Sequence, residues 1–382
     1  MNDSAGGGAL VGRIPVRNVW LLMLYASRLF REIPGSRRYA AEEYPDDIPD
    51  LVAEILVHAV QRRLRRNLNS ELQRQQADLT RVRGRMDHLR TERRSLLQRG
   101  RIACTFDELT TDTPRNRFVK AALRELTRTV HNEELVRRCR SGAAALERAG
   151  VGSDPSAIQY RNRTTTPEVA GRTNAEDRQM LAAARLAFRL RLPTEDAGSV
   201  HLSSPDRDDV RARTLFEAAV GGFYETVLSP HGWKVGTGRR IHWQYEHATS
   251  GMAEILPSMK TDIVLEAPAG PERQAHQRLV IDTKFTHILS PAQYGDEKLR
   301  SGYLYQMYAY LRSQESADDP LSQNASGLLL HPSVGRHVDE AATIQGHRIR
   351  FATVDLAAEG PAIRERLLSL AGAHSPPSGH HR

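Results

Sequence analysis

The stretch Leu279-Val-Ile-Asp-Thr-Lys-Phe285 decides the fold of the second half of the chain, together with the earlier stretch Thr261-Asp-Ile-Val-Leu265. Each is a short run of β-branched and aliphatic residues, a pattern that predicts a strand. Each also carries charge that a buried strand normally excludes: Asp262 in the first, Asp282 and Lys284 in the second. Because alternate side chains of a strand point to the same face, Asp282 and Lys284 lie on one side of the sheet.

If the two strands pair, Asp262 joins this face and two carboxylates converge with an ammonium group. Two carboxylates about 4 Å apart repel by roughly 4 kcal/mol at an effective dielectric constant near 20. A divalent cation would relieve this repulsion, and Mg²⁺ prefers hard oxygen ligands of this kind. The alternative interpretation of Asp282 and Lys284 is a buried ion pair without catalytic function.

Composition indicates a soluble globular protein. The chain has 382 residues, of which 40% are hydrophobic and 26% charged, enough for two domains with sizeable cores. It contains no run of eighteen apolar residues, and its Gly-rich start lacks the pattern of a signal peptide. Its two cysteines, Cys104 and Cys139, indicate neither a zinc cluster nor a disulfide framework. We therefore expect a cytoplasmic protein.

The net charge of +8 favours a polyanionic partner, with nucleic acid ahead of membrane. Of the 54 basic residues only five are lysines, so arginine fills most surface positions where lysine would also serve. This bias makes the lysines informative, because a compact ammonium and a planar guanidinium are not equivalent. Four of the five lie between residues 234 and 298.

The first half predicts a mostly helical α+β domain with a small sheet. Asn18 is a candidate cap for an apolar helix within residues 14–26, which is either a core helix or a partner-docking helix. Thr113 and Pro114 predict the start of another helix. Strands are predicted at 78–87 and 101–109, and further helices at 50–67, 132–148 and 175–192.

The stretch 78–87 alternates as a strand would, and it places Arg81, Arg83 and Arg85 on one face. Such a face meets solvent, an anion or another subunit. A polar break follows the helix that ends near residue 192, which places the domain boundary at 195/196.

The second half has the order helix, three strands, helix, two strands, helix, which suits a mixed sheet flanked by helices. The helices are predicted at 206–228, 298–313 and 361–371. The strands are predicted at 239–247, 258–266, 279–285, 327–331 and 348–355. Residues 196–374 form this second domain, and 375–382 are expected to be a disordered tail.

Glu217 on a helix, then Asp262, then Asp282-Thr-Lys284 resembles the pattern of PD-(D/E)xK nucleases. Gln306-Met-Tyr-Ala-Tyr310 on the next predicted helix resembles the Q-x-x-x-Y motif of the RecB-like branch. Thr261 stands where the name of the superfamily has proline, but the aspartate is the ligand. The resemblance implies an α/β PD-(D/E)xK nuclease domain after the α+β domain.

The chain also resembles the McrC family over most of its length. The matching stretches are Ile14-Pro-Val-Arg-Asn18, Arg83-Gly-Arg-Met-Asp87, Phe106-Asp-Glu-Leu-Thr-Thr-Asp112 with Asn116-Arg117, Leu256-Pro-Ser-Met-Lys-Thr-Asp262, Tyr305-Gln-Met307 and Gly327-Leu-Leu-Leu-His-Pro332. McrC is the nuclease subunit of the McrBC modification-dependent restriction systems. The resemblance implies a DNA endonuclease that cleaves modified, methylcytosine-containing double-stranded DNA.

The resemblance assigns roles to the site residues. Asp262, Asp282 and the carbonyl of Thr283 would hold Mg²⁺, or Mn²⁺, and Lys284 would orient the attacking water or stabilise charge on the phosphate. Glu217 would add a contact to the metal or to its water. Gln306 and Tyr310, four residues apart on one helix face, would position that water or the DNA backbone.

The resemblance also implies a partner, the AAA+ GTPase McrB, expected to be hexameric. The chain contains no Gly-Lys dipeptide and hence no P-loop, so GTP is expected on the partner. The N-terminal domain, residues 1–195, would dock on the GTPase and activate it, with Arg83, Arg85, Asp112 and Arg117 as candidates. Two alternatives remain: a non-catalytic activator of the GTPase, and a stand-alone RecB-like nuclease.

Overall fold

The computed structural model describes residues 10–11, 14–153, 174–191, 205–245, 247–269, 277–286, 289–291, 297–335 and 337–373. The chain forms two compact units, Pro49–Arg191 and a unit that combines Met1–Ile48 with Leu192–Arg382. We call them the helical unit and the sheet unit. The predicted tail, 375–382, lies outside the described residues. No helix in the described ranges is both long and apolar enough to span a membrane.

The sheet unit is built on a six-stranded mixed sheet in the order β14-β15-β13-β10-β9-β6. Strand β10 pairs antiparallel with β9 and parallel with β13, so it lies in the interior of the sheet. The sheet strands are β6 (Lys234–Thr237), β9 (Ile263–Ala267), β10 (Gln277–Thr283), β13 (Ser326–Ser333), β14 (Asp339–Ile344) and β15 (His347–Asp355). Three short pairs accompany them: β1 (Leu10–Val11) with β2 (Ile14–Pro15), β7 (Arg240–Ile241) with β8 (Met259–Lys260), and β11 (Leu289–Pro291) with β12 (Glu297–Leu299).

The helices of the sheet unit come from both ends of the sequence. They are α1 (Val16–Tyr25), α2 (Arg28–Glu32), α3 (Gly35–Glu43), α9 (Pro205–Leu228), α10 (Met252–Ile255), α11 (Ser301–Arg312), α12 (Pro320–Gln323) and α13 (Gly360–Ala371). Alternation along β10 puts Val280 on one face of the sheet, where it packs against Met307 and Leu311 of α11. The face that carries Val280 also carries Asp282 and Lys284, and α11 is therefore the helix next to them.

The helical unit contains five helices and a three-stranded antiparallel sheet in the order β3-β5-β4 among its described residues. The helices are α4 (Ile48–Arg66), α5 (His88–Arg93), α6 (Pro114–Leu126), α7 (Glu133–Arg148) and α8 (Ala175–Leu190). The strands are β3 (Glu71–Leu79), β4 (Arg85–Met86) and β5 (Ile102–Thr110). Helices together with a mixed sheet are compatible with an α+β fold, the class predicted for the N-terminal domain. Cys104 and Cys139 are buried free thiols.

Residues 14–48 were predicted to belong to the N-terminal domain, but the structure groups them with the sheet unit. The prediction that Asn18 caps the first helix was wrong, because α1 begins at Val16. The buried Asn18 amide instead donates to the carbonyls of Leu356 and Ala358 at 2.8 and 2.9 Å. Likewise Arg364 of α13 donates to Glu42 Oε1 at 2.9 Å. A helix that satisfies buried polar groups of distant segments belongs to the core that contains them.

Two strand predictions were also wrong. The stretch 78–87 is not one strand, because β3 ends at Leu79 and β4 begins at Arg85. The turn between them includes Gly84 at φ +68°, where a Cβ would lie 2.5 Å from the Thr105 carbonyl oxygen. Only glycine fits this position, so the alternation of arginines does not form a continuous strand face. The predicted strand at 239–247 is reduced to β7, and β14 was not predicted.

Candidate active site

Asp262, Asp282 and Lys284 meet at one end of β9 and β10. The antiparallel register pairs Ile281 with Ile263, so the next pair along the strands is Asp282 with Asp262. Oδ2 of Asp262 accepts hydrogen bonds from the Thr283 backbone N–H and from its hydroxyl, both at 2.8 Å. Both bonds end on the same oxygen, so the second oxygen of Asp262 is not needed to hold the carboxylate.

Lys284 is buried to 6% exposure and its ammonium group is surrounded by three partners. Nζ lies 2.7 Å from Oδ2 of Asp282, donates to Oε1 of Gln306 at 3.0 Å, and lies 5.1 Å from the centre of the Tyr303 ring. The backbone N–H of Lys284 donates to the Leu330 carbonyl of β13 at 2.9 Å, which fixes its Cα. A long side chain held at both ends has few rotamers left, so the position of the ammonium is well defined.

Gln306 and Tyr310 reach this point from α11. They are four residues apart and therefore share a helix face. Gln306 Nε2 donates to the Tyr310 hydroxyl at 2.5 Å, and Tyr310 is buried against Ile241 and Met259. The chain of contacts Asp282, Lys284, Gln306, Tyr310 is thus continuous and joins β10 to α11.

The Asp282 carboxylate is in an unfavourable electrostatic environment. Burial raises the pKa of Asp282 above its usual range; Lys284 opposes this shift and Asp262 adds to it. Oδ2 of Asp282 is buried, and the Lys284 ammonium lies 2.7 Å from it as its counter-charge. Asp262 and Asp282 thus share one ammonium, and a further cation would balance the remaining negative charge.

Glu217 approaches from the other face of the sheet. It lies on α9 one turn before Gly221, where a Cβ would contact Thr237 and Ile263. Burial raises the pKa of Glu217, and the charges of Asp262 and Asp282 add to this shift while Lys260 and Arg213 oppose it. Glu217 therefore interacts electrostatically with the site.

The residues fit Mg²⁺ with two carboxylate ligands. Among the described residues no group of three or more His, Cys, Asp or Glu side chains is arranged to hold a metal ion. Mg²⁺ keeps several waters and is commonly bound through one or two carboxylates, so Asp262 and Asp282 meet its requirement. The specific feature that fits a cation is the excess of carboxylate over ammonium charge among Asp262, Asp282 and Lys284. Glu217 does not complete a three-carboxylate group.

Tyr303 and Arg213 were not among the residues predicted for the site. The Tyr303 ring lies beside Lys284, and its hydroxyl is 3.3 Å from the Thr286 hydroxyl. Arg213 lies one turn before Glu217 on α9, and its charge lowers the pKa of both Glu217 and Asp282. Helical spacing could have identified both residues as neighbours of the site. Tyr303 is three residues before Gln306 and Arg213 is four before Glu217, so each shares a helix face with a predicted site residue.

His331, which lies in β13, contacts the Tyr303 ring. Its ring centre is 5.9 Å from that of Tyr303, and its Nδ1 lies 2.9 Å from the Thr286 carbonyl oxygen. Burial lowers the pKa of His331 to about 4, so the imidazole is neutral at pH 7. A carbonyl only accepts, so Nδ1 carries the proton and donates to Thr286. Thr286, His331 and Tyr303 together support one side of Lys284.

The residues predicted for GTPase activation lie in the helical unit. Arg117 is engaged with Asp112 through Nε to Oδ1 at 2.6 Å and a second bond from Nη2 to Oδ2, and Asp112 also accepts from the Gly152 N–H. Arg83 pairs with Glu108 at 3.0 Å and covers the Phe106 ring. Arg85 is exposed and forms no ion pair with any residue that the structure describes. Within the helical unit, Asp112 and Arg117 contact each other, and Arg83 pairs with a different residue, Glu108.

Three comparisons with known proteins bear on this chain. The family described as "McrBC 5-methylcytosine restriction system component" matches residues 11–165. The chain is 25% identical over 362 residues to the type IV methyl-directed restriction enzyme EcoKMcrBC of Escherichia coli (strain K12), covering 94% of this chain and 97% of that protein. A chain in the half-complex of Thermococcus gammatolerans McrB AAA+ hexamers with bound McrC matches 93% of this chain and 76% of its own length, at 15% identity and a TM-score of 0.41. That structural similarity is weak.

Proposed function

We propose that this chain, which the family match and the long alignment support as a McrC-type protein, is a Mg²⁺-dependent endodeoxyribonuclease subunit. Its sheet unit would be a PD-(D/E)xK nuclease that hydrolyses phosphodiester bonds of methylcytosine-containing DNA. The observation that carries the proposal is the convergence of Asp262, Asp282, Lys284 and Gln306 at one end of two paired strands. A single buried ion pair would need only one carboxylate and one cation, whereas here a second carboxylate and a glutamine amide meet at the same point.

We propose a role for each side chain from its position. Asp262 and Asp282 would hold Mg²⁺, with Thr283 supplying a backbone oxygen; the bound ion would neutralise phosphate charge and lower the pKa of a water. Lys284, held by Gln306 and Tyr303, would place an N–H donor next to that water or to the phosphate oxygen. Gln306 and Tyr310 position Lys284 through their hydrogen-bond chain.

The partner follows from the family. We propose that the chain docks on a McrB-like AAA+ GTPase, hexameric and cytoplasmic, which binds GTP and selects the modified DNA. The helical unit would stimulate the GTPase. Arg85 is the best placed of the four candidates, since it is exposed, whereas Asp112 and Arg117 are engaged with each other. Arg83 is exposed but paired with Glu108.

The test is GTP-dependent cleavage of a methylated plasmid by the chain reconstituted with its GTPase partner. Lys284→Ala and Asp282→Ala should abolish cleavage, and the matched surface variant Lys234→Ala should cleave as wild type does. All three should still stimulate GTP hydrolysis, which shows that the variants fold and dock.

Two results would favour other functions. Cleavage that persists in Lys284→Ala and Asp282→Ala would mean that the chain is an activator of a nuclease located elsewhere. Robust cleavage by the chain alone, without nucleotide, would indicate a stand-alone RecB-like nuclease. A neighbouring reading frame that encodes an AAA+ protein with a Walker A motif supports the two-subunit system.

A further inference from the structure

The hairpin that leads into Asp262 carries a pair of cations directly opposite each other. Strands β7 and β8 are antiparallel, with Arg240 paired to Lys260 and Ile241 paired to Met259. Ile241 and Met259 are buried and pack against Tyr310 of the candidate site. Because alternate residues point to opposite faces, Arg240 and Lys260 share the outer face, where both are exposed.

Like charges at directly opposed positions of an antiparallel pair destabilise the sheet, because the two Cβ atoms are only about 5 Å apart. Neither Arg240 nor Lys260 forms an ion pair with any residue in the described ranges. The contrast within the same unit is Lys234, which is paired in register with Glu266, with Nζ 4.0 Å from the carboxylate. The fold therefore pairs Lys234 with the carboxylate of Glu266 but places Lys260 opposite a second cation, Arg240.

The cation pair lies next to the acidic centre. One residue, Thr261, separates Lys260 from Asp262 along the chain, and the Gly238 N–H donates to the Asp262 carbonyl at 2.8 Å. The Lys260 side chain lies over this glycine, with Cε and Nζ 3.2 and 3.6 Å from the position that a Cβ would occupy. Gly238 has φ +63°, so the turn both requires glycine and leaves the space that the lysine fills. The Lys260 charge also acts on Glu217.

We propose that Arg240 and Lys260 form a binding site for one phosphate of the nucleic-acid backbone, next to the phosphate that is hydrolysed. The proposal rests on the proposed nuclease function for the identity of the ligand. A phosphate between the two cations replaces their mutual repulsion with two attractions, and a guanidinium beside an ammonium suits its several oxygens. Such contacts position the duplex and carry no base sequence information.

The site also explains a lysine in a chain that uses arginine for nearly all its positive charge. A compact ammonium fits into the space over Gly238. Its buried neighbours, Ile241 and Met259, join the hairpin to Tyr310, so a phosphate held here would have a defined distance from Lys284 and Gln306. The cation pair would thus set which bond of the strand enters the carboxylate centre.

The experiment measures binding of a short fluorescein-labelled DNA duplex to the full chain by anisotropy, over a salt series and without divalent ions. Each of the variants Arg240→Gln and Lys260→Gln should weaken binding. For a given variant, the loss of affinity should be the same with methylated and unmethylated duplexes. Each should also reduce the slope of log K against log salt, and the double variant should reduce it by about 1 in total, the value for one lost phosphate contact. Lys234→Gln, which removes the same charge from the same unit, should leave the slope unchanged.

Thermal unfolding of the free chain at low salt gives a second readout with its own sign. Arg240→Gln removes a repulsion and should raise Tm, whereas Lys234→Gln removes an attraction and should not. Unchanged affinity and slope in both hairpin variants, or a wild-type chain that does not bind the duplex at low salt, would overturn the proposal. Binding with the expected slopes but without cleavage in the reconstituted system would refute the nuclease function and leave the phosphate site standing.

Discussion

Replacing Gln306 by leucine is the sharpest test of how Lys284 is positioned. The substitution keeps the approximate size of the side chain but removes the oxygen that accepts from Lys284 Nζ at 3.0 Å and the amide that donates to Tyr310. A hydrogen bond to a charged group contributes about 1.5–3 kcal/mol. With a tenfold change in rate for each 1.36 kcal/mol, the rate of the chemical step should fall about 10- to 150-fold.

Tyr310→Phe should have a smaller effect through the same route. It removes only the neutral hydrogen bond from Gln306, worth about 0.5–1.5 kcal/mol, so the loss should be about 2- to 13-fold. The assay is single-turnover cleavage of methylated DNA by the complex with its GTPase partner, with DNA binding measured in parallel. Binding should not change if Gln306 and Tyr310 act through Lys284, whereas a loss of binding would indicate that they position the DNA backbone instead.

Gln314→Leu is the matched control, since Gln314 follows the same helix but donates to the His242 carbonyl at the surface. It should cleave as the wild type does. The reasoning would be refuted if Gln306→Leu cleaved at the wild-type rate, or if Tyr310→Phe lost more activity than Gln306→Leu. An equal loss of GTPase stimulation in Gln306→Leu would instead show that the substitution disrupts the fold.

Three further predictions concern stability, each measured on the free chain. Mg²⁺ at 100 times its Kd should raise the free energy of unfolding by about 2.7 kcal/mol in urea titrations. Asp282→Asn should abolish this gain. The absence of a Mg²⁺ effect on the wild type would argue against the metal site. Burial raises the folded-state pKa of Glu217, so the ionisation of Glu217 opposes folding as pH rises through that pKa. Glu217→Gln should therefore raise Tm at pH 7 and leave it unchanged in acid. A fall in Tm at pH 7 would contradict this reasoning. Gly360→Ala should lower the free energy of unfolding in urea by about 1–3 kcal/mol or more, because the new Cβ would lie 2.0 Å from the Glu42 carbonyl oxygen. Gly302→Ala, with open space around it, should be neutral. An equally mild effect at both positions would refute the close approach of α3 and α13.

Local signals predicted most of the elements near the site correctly. The helix start at Thr113, whose hydroxyl accepts from the Asn116 N–H, is confirmed, and the helix predicted at 132–148 is confirmed as α7. The strand around Asp282 and the helix that carries Gln306 are confirmed as β10 and α11. These features depend on residues a few positions apart, whose preferences act whatever the rest of the chain does.

Predictions failed where a distant segment decides the local conformation. Asn18 has the side chain of a helix cap, but Leu356 and Ala358 supply acceptors that are available only after folding. The apolar helix that contains it is a core helix of the sheet unit, and its burial against α9 accounts for its wide apolar face. The arginine stretch at 78–87 breaks at Gly84 because β5 comes too close for any other residue.

The sequence by itself determined which chemical groups are present and which of them are neighbours along an element. The period of two in β10 places Asp282 and Lys284 on one face, and the four-residue spacing in α11 places Gln306 beside Tyr310. Only the tertiary structure decided that the two pairs meet, that the Tyr303 ring lies beside the ammonium of Lys284, and that Lys260 faces Arg240. Register and packing set these contacts, and both depend on the total free energy of the fold rather than on the preference of any short stretch.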